Sequence, residues 1–106
     1  NVTATATGGT FSYGVYNSAS SPTMNNVTAT ATDGTNNYGV INISSSPTIR
    51  NSSITGTTNS IFNSESTAQV ADTMLDGTVV AVGSGAGIAC VGAYDETFSA
   101  LNAQCD

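Results

Sequence analysis

The first fifty residues say one thing twice. Residues 1–25 read NVTATATGGTFSYGVYNSASSPTMN and residues 26–50 read NVTATATDGTNNYGVINISSSPTIR, with 17 of 25 aligned positions identical and no gap. A looser, shorter copy follows over residues 51–71 (NSSITGTTNSIFNSESTAQVA), and a fourth opens at Asp72 with DTMLDGT. A fixed period in the twenties is the mark of a solenoid, in which each copy can bury its apolar face only against its neighbours.

Within each copy the apolar residues alternate with period two, the period of a strand. Val2, Ala4 and Ala6 alternate with Thr3, Thr5 and Thr7; Val27, Ala29 and Ala31 alternate with Thr28, Thr30 and Thr32. Ile54 and Gly56, then Leu75 and Gly77, hold the same inward phase, with Thr55, Thr57, Asp76 and Thr78 outward. A second strand is read at Tyr13–Tyr16, Tyr38–Ile41 and Ser60–Phe62. A third, shorter strand is read at Pro22–Met24, Pro47–Ile49 and Ala68–Val70. Gly8-Gly9, Asp33-Gly34 and the serine runs at 18–21 and 44–46 supply turns. No stretch has helical periodicity. Three short strands per copy, all in register, predict an all-β parallel β-helix of about four coils, successive strands lying about 4.8 Å apart. The repeats occupy residues 1–78 (1–25, 26–50, 51–71 and the start of the last coil, 72–78), and residues 79–106 are expected to form a C-terminal strand or hairpin cap.

Two columns of polar residues recur at matching phase: Asn26, Asn51 and Asp72 at the corner before each first strand, and Asn17, Asn42 and Asn63 after each second strand. Stacked asparagines can hydrogen-bond from coil to coil and tolerate left-handed backbone, so both columns are read as ladders; asparagine is also simply common in turns. The segments SPTMNNVTATAT, SPTIRNSSITGT, YGVYN and YGVIN resemble the right-handed parallel β-helix repeat family, the architecture of pectate lyases and many bacterial surface proteins. The resemblance covers residues 1–78. The tail from Cys90 through Tyr94, Asp95 and Phe98 to Cys105 looks like the closing segment of many bacterial β-helix proteins of this type. The motif is specific for fold and nearly silent on function.

After Thr78 the repeat breaks. Val79–Val82 and Ile88–Val91 flank Gly83–Gly87 and read as strand, turn, strand; Tyr94, Phe98 and Leu101 supply bulk for a cap. Cys90 and Cys105 either pair or stand as free thiols; a disulfide would close a loop of about 15 residues and contribute about 3 kcal/mol. The first coil has no matching cap, so its backbone edge is expected to meet another coil or another chain.

Chemistry is thinly represented. The chain has no His, no Lys and one Arg, with a net charge of −6. That argues against nucleic acid and anionic membrane surfaces, which select clustered Lys and Arg. No apolar run approaches the roughly 18 residues of a membrane span. Asp72 and Asp76 have the look of a carboxylate pair for glycoside hydrolysis. However, Asp72 falls in a corner column and Asp76 replaces an outward Thr, so no enzyme activity, metal or cofactor is expected. The Asn-x-Ser/Thr matches at Asn1, Asn26, Asn42 and Asn51 are what an Asn/Thr-rich repeat yields by chance. Thr3, Thr5, Thr7, Thr28, Thr30, Thr32, Ser53, Thr55 and Thr57 would form a flat outward grid, which resembles the Thr-x-Thr arrays of β-solenoid antifreeze proteins. Outward Thr is also what a solvated strand favours. The low Lys content and even cysteine count favour an extracellular or cell-surface setting. The expected role is a non-catalytic structural module of a surface or fibre protein. It would associate head to tail through its first coil or side by side as a trimer; the alternative is a Thr-face module for ice or polysaccharide.

Overall fold

The computed structural model describes residues 1–106 and contains eleven strands and no helix. They are β1 (Val2–Thr7), β2 (Phe11–Ser18), β3 (Thr23–Asn25), β4 (Val27–Thr32), β5 (Asn36–Ile43), β6 (Thr48–Arg50), β7 (Ser53–Ser64), β8 (Thr67–Ala71), β9 (Met74–Val82), β10 (Gly87–Val91) and β11 (Tyr94–Asp95). All named strand pairs are parallel, and the chain is a β-solenoid of about four turns.

Three walls surround the core. The first stacks β1, β4 and the leading halves of β7 and β9, ending at β11; the second stacks β2, β5 and the trailing halves of β7 and β9; the third stacks β3, β6, β8 and β10. Register fixes which side chains meet inside. One column runs Ala4, Ala29, Ile54, Leu75, a second Val15, Val40, Ile61, Val79, and a third Met24, Ile49, Val70, Cys90. Ala29, Val40, Ile49, Ile54 and Ile61 are fully buried. The first column grows from Ala to Ile and Leu down the stack while the third shrinks from Met and Ile to Val and Cys, so the columns offset one another within a narrow core.

The repeat runs past Thr78, where the sequence reading ended it. β9 continues to Val82 on β7, and β10 lies parallel on β8. The segments on either side of Gly83–Gly87 are therefore walls two and three of a complete fourth coil, not a hairpin. The fourth coil loses the Thr and Asn markers but keeps the inward classes, because the core selects volume rather than identity. Residues 92–106 close the end. Leu101 and Cys90 donate backbone hydrogen bonds to Ala93 and Ala103, and Tyr94 bridges Ala100. The disulfide between Cys90 and Cys105 lies buried against the third column, with Cα atoms 5.3 Å apart.

Each coil turns two corners on a left-handed residue. One column is Ala19, Ser44, Glu65 and Gly83; the other is Asn26, Asn51, Asp72 and Gly92, every one with positive φ. Non-glycine residues pay a steric cost there, offset by coil-to-coil backbone bonds such as those from Ser44 N–H to the Ser64 carbonyl and from Asn51 N–H to the Ala71 carbonyl. At four of these corners the next residue, Ser45, Ser52, Ser66 or Thr73, adds a hydroxyl relay. Ser66 accepts from Ser45 N–H while donating to the Ser64 carbonyl; Ser52 accepts from Val27 N–H while donating to the Arg50 carbonyl. At the corner between walls one and two, coils one and two carry short loops, whereas β7 and β9 bend straight through at Gly56 and Gly77. A Cβ on Gly56 would lie 2.0 Å from the Asn59 carbonyl oxygen, so no larger residue fits that bend.

Candidate functional site

The threonine grid exists only in part. Thr3 pairs with Thr28 and Thr28 with Ser53, Thr5 with Thr30 and Thr30 with Thr55, and Thr7 with Thr32. Thr3, Thr5, Thr7 and Thr28 are exposed, while Thr30, Thr32 and Thr55 are half-buried. Below them the columns end in Met74 and Asp76. Thr57 does not join: the β4–β7 register stops at Ala31 and Gly56, and the Thr57 hydroxyl accepts a hydrogen bond from Asn37 Nδ2 at 2.7 Å. The shortened corner of the third coil pulls it out of the plane.

The two asparagine columns differ in kind. Asn17 Nδ2 donates to Asn42 Oδ1 at 2.8 Å, Asn42 Nδ2 donates to Asn63 Oδ1 at 2.7 Å, and Asn63 Nδ2 ends the run on the Gly87 carbonyl at 3.0 Å. Asn42 and Asn63 are wholly buried, so this is an internal hydrogen-bonded spine. Asn26, Asn51 and Asp72 instead stand exposed at left-handed corners and make no side-chain ladder with one another; Asn51 Nδ2 donates to Asn25 Oδ1 at 3.2 Å. They serve the backbone turn. With Asn1, Thr28 and Tyr94 they border an open polar groove of about 480 Å³. Burial also decides one sequon: Asn42, inside the spine, is out of reach of a glycan.

Asp72 is a corner residue, and Asp76 pairs with Thr55 on the first wall. No three acidic or cysteine side chains converge on one point. Asp95 organises the cap turn: its Oδ1 accepts from the Thr97 hydroxyl at 2.7 Å and from Thr97 and Ser99 N–H at 2.9 Å each. The hydroxyl bond, with the two backbone bonds, holds its carboxyl below the ordinary value.

A surface the sequence reading passed over lies on the second wall. With Val15 and Asn17 inward, Tyr16 points out, and register places Ile41, Phe62 and Val80 beneath it. Tyr13 and Tyr38 stack beside this column at 5.8 Å; Phe11, Tyr16 and Phe62 extend the ring contacts at 6.2, 5.6 and 5.3 Å. Phe11 and Tyr16 remain 56% and 54% exposed. None of these residues is charged in a chain of net charge −6. The alternation of Val15, Tyr16 and Asn17 was the available signal.

No family model, curated protein or solved structure matches this chain.

Proposed function

We propose that the chain is a non-catalytic structural module of an extracellular surface or fibre protein, related in architecture to the right-handed parallel β-helices of bacterial surface proteins, and that copies of it associate side by side. The observation that carries this is the uncharged aromatic face of the second wall. Phe11 and Tyr16 stand exposed on it, Tyr13, Tyr38, Phe62 and Val80 are half-buried and Ile41 is covered; the outline of the wall, eight residues of β2 at about 3.3 Å each across four coils about 4.8 Å apart, is about 500 Å² at most. Uncharged apolar patches of a few hundred Å² are often contact surfaces. Two such faces bury about 1,000 Å² in all at most, the lower limit for a specific interface, so assembly depends on concentration. Head-to-tail stacking fits less well, because residues 92–106 already occupy the first and third walls at the far end. The disulfide suits an oxidising compartment.

Light scattering across a concentration series tests the reading. Mass should rise with concentration, and Tyr16→Lys, which places a charge in the centre of the first-coil patch, should hold the chain monomeric. A monomer throughout the series refutes it, and cleavage of a sugar chain by the purified protein would overturn the non-catalytic part.

The Thr5–Thr30–Thr55 row favours a second reading, a flat hydroxyl-and-methyl surface for ice or a polysaccharide. Purified protein would then shape ice crystals or be retained by an insoluble neutral glucan, and Thr30→Lys would abolish the effect. Ordinary crystal growth and no retention would remove it.

A further inference from the structure

At the level below the fourth coil, two walls are filled and one is not. β11 lies under the start of β9 on the first wall, and Ala103 accepts from Cys90 N–H on the third. On the second wall no strand pairs with Thr78–Val82 from below: this stretch pairs with β7 on one side, and no residue of the cap bonds its backbone, although Leu101 and Cys105 stand near Val79. In a parallel ladder a residue's N–H and C=O point the same way, and the direction alternates along the strand. The Val82 carbonyl accepts from Glu65 N–H, so Val82 and Val80 face β7. Val79 and Ala81 therefore turn their N–H and C=O groups toward the vacant level.

Beside this edge is a hollow of about 300 Å³ with Leu75, Val79 and Leu101 as its apolar floor and Asp95, Glu96 and Asp106 on its rim. One extended residue fills about 3.3 by 4.8 by 10 Å, or about 160 Å³, so the hollow holds about two residues of a strand. The remainder of such a strand would run along the open edge. A second copy cannot bring its first coil flush to this place, because the cap stands in the way on the other two walls. A single extended segment can enter.

We infer that the end of the solenoid is a strand-accepting slot for an extended basic peptide. The segment adds parallel to Thr78–Val82, exchanges main-chain hydrogen bonds with Val79 and Ala81, sets an apolar side chain on Leu75, Val79 and Leu101, and meets the acidic rim with Lys or Arg. Main-chain bonds supply the affinity in such strand addition, and the alternate side chains and the charges supply selectivity. The inference is independent of side-by-side association.

The test uses the whole, oxidised protein labelled with ¹⁵N and the synthetic peptide Lys-Val-Thr-Val-Lys-Val-Thr-Val-Lys, with a second peptide carrying Glu for each Lys. Adding the basic peptide should slow amide exchange at Val79 and Ala81, and the acidic peptide should not. Ala81→Pro removes one outward N–H and leaves the β7 ladder intact, since edge strands accept proline on the solvent side; binding should weaken about tenfold. Glu96→Lys should weaken it and flatten its salt dependence. Binding that leaves both amides unprotected, or that Ala81→Pro leaves unchanged, overturns the slot and reduces the contact to surface charge. Protection of the same amides that grows with protein concentration alone would assign the edge to a second copy and overturn it as well.

Discussion

Asn42→Asp tests whether the asparagine spine is a structural element or an incidental row. Asn42 is fully buried; its Nδ2 donates to Asn63 Oδ1 at 2.7 Å and its Oδ1 accepts from Asn17 Nδ2 at 2.8 Å. A protonated carboxyl has the same shape, one donor and a free acceptor, and can hold both bonds; an ionised carboxyl accepts only. Ionised, it would face the Asn63 carbonyl oxygen with no proton between them. Burial and that opposed acceptor both raise the folded-state pKa of the introduced group, by about three pH units for a group this deep. At about 1.36 kcal/mol per unit, the variant is about 4 kcal/mol less stable than the parent at neutral pH. The sign follows from linkage. Below about pH 4 the carboxyl is protonated in both states, and the variant approaches the parent. As pH rises the unfolded chain ionises while the folded one does not, and stability falls until pH reaches the raised value. Asn42→Ala supplies the contrast: it strands the Asn17 donor and the Asn63 acceptor and costs about 2–4 kcal/mol with no such pH dependence. Urea unfolding followed by far-ultraviolet circular dichroism at about pH 3.5 and about pH 7 measures both. An Asn42→Asp deficit that is equal at the two pH values would refute the spine as drawn.

Three further outcomes are expected. Replacing both Cys90 and Cys105 with Ser, or reducing the bond, opens a 15-residue loop and should lower stability by about 3 kcal/mol in denaturant titration, with amide exchange quickening first in β10 and β11. Gly39→Ala puts a methyl 2.6 Å from Ile54 Cγ2 and 2.8 Å from the Ser60 carbonyl, and should cost about 1–3 kcal/mol by the same titration, while Gly87→Ala, which meets no atom within 4 Å, should be near neutral. Because hydrogen bonds from Thr97 and Ser99 hold the Asp95 carboxyl low, its carboxyl resonance should titrate below 3.8. Its support of the cap turn should be present above that unfolded value and fade as pH falls through the folded one, seen as faster exchange at Thr97 and Ser99.

The fold was legible because two consecutive copies of equal length leave the register no freedom: Val2 must meet Val27, and Tyr13 must meet Tyr38. What escaped was carried by shape rather than identity. Leu75 replaces Ile54, Val79 replaces Ile61 and Cys90 replaces Val70, so the fourth coil keeps the core while, after Thr78, losing the textual markers of the repeat. The left-handed corners at Ala19, Ser44 and Glu65 had no signal in residue type; coil-to-coil backbone bonds impose them on residues with no preference for that conformation. The two asparagine columns looked alike as text. Only their phase separates them, since Asn17 alternates with inward Val15 and falls inside, whereas Asn26 stands at the turn itself. The same phase rule would have turned Tyr16 and Phe62 outward and disclosed the aromatic face.

The spine also bears on the proposed association. Every amide in it donates toward the C-terminal coil, so the run closes on the Gly87 carbonyl at one end, and at the other no side chain within residues 1–106 donates to Asn17 Oδ1. A coil laid on the first one must present a donor in that column, or bury an acceptor unpaired at a cost of about 1–3 kcal/mol. The last coil of an identical copy would offer Ala81 there, which has no side-chain donor. It would also bring residues 92–106 against β1 and β3. Polar mismatch and obstruction therefore act in the same direction, against end-to-end growth of identical copies. The second wall meets neither obstacle: its outer columns are uncharged, and contact there leaves the spine and the hydroxyl relays of the corners undisturbed.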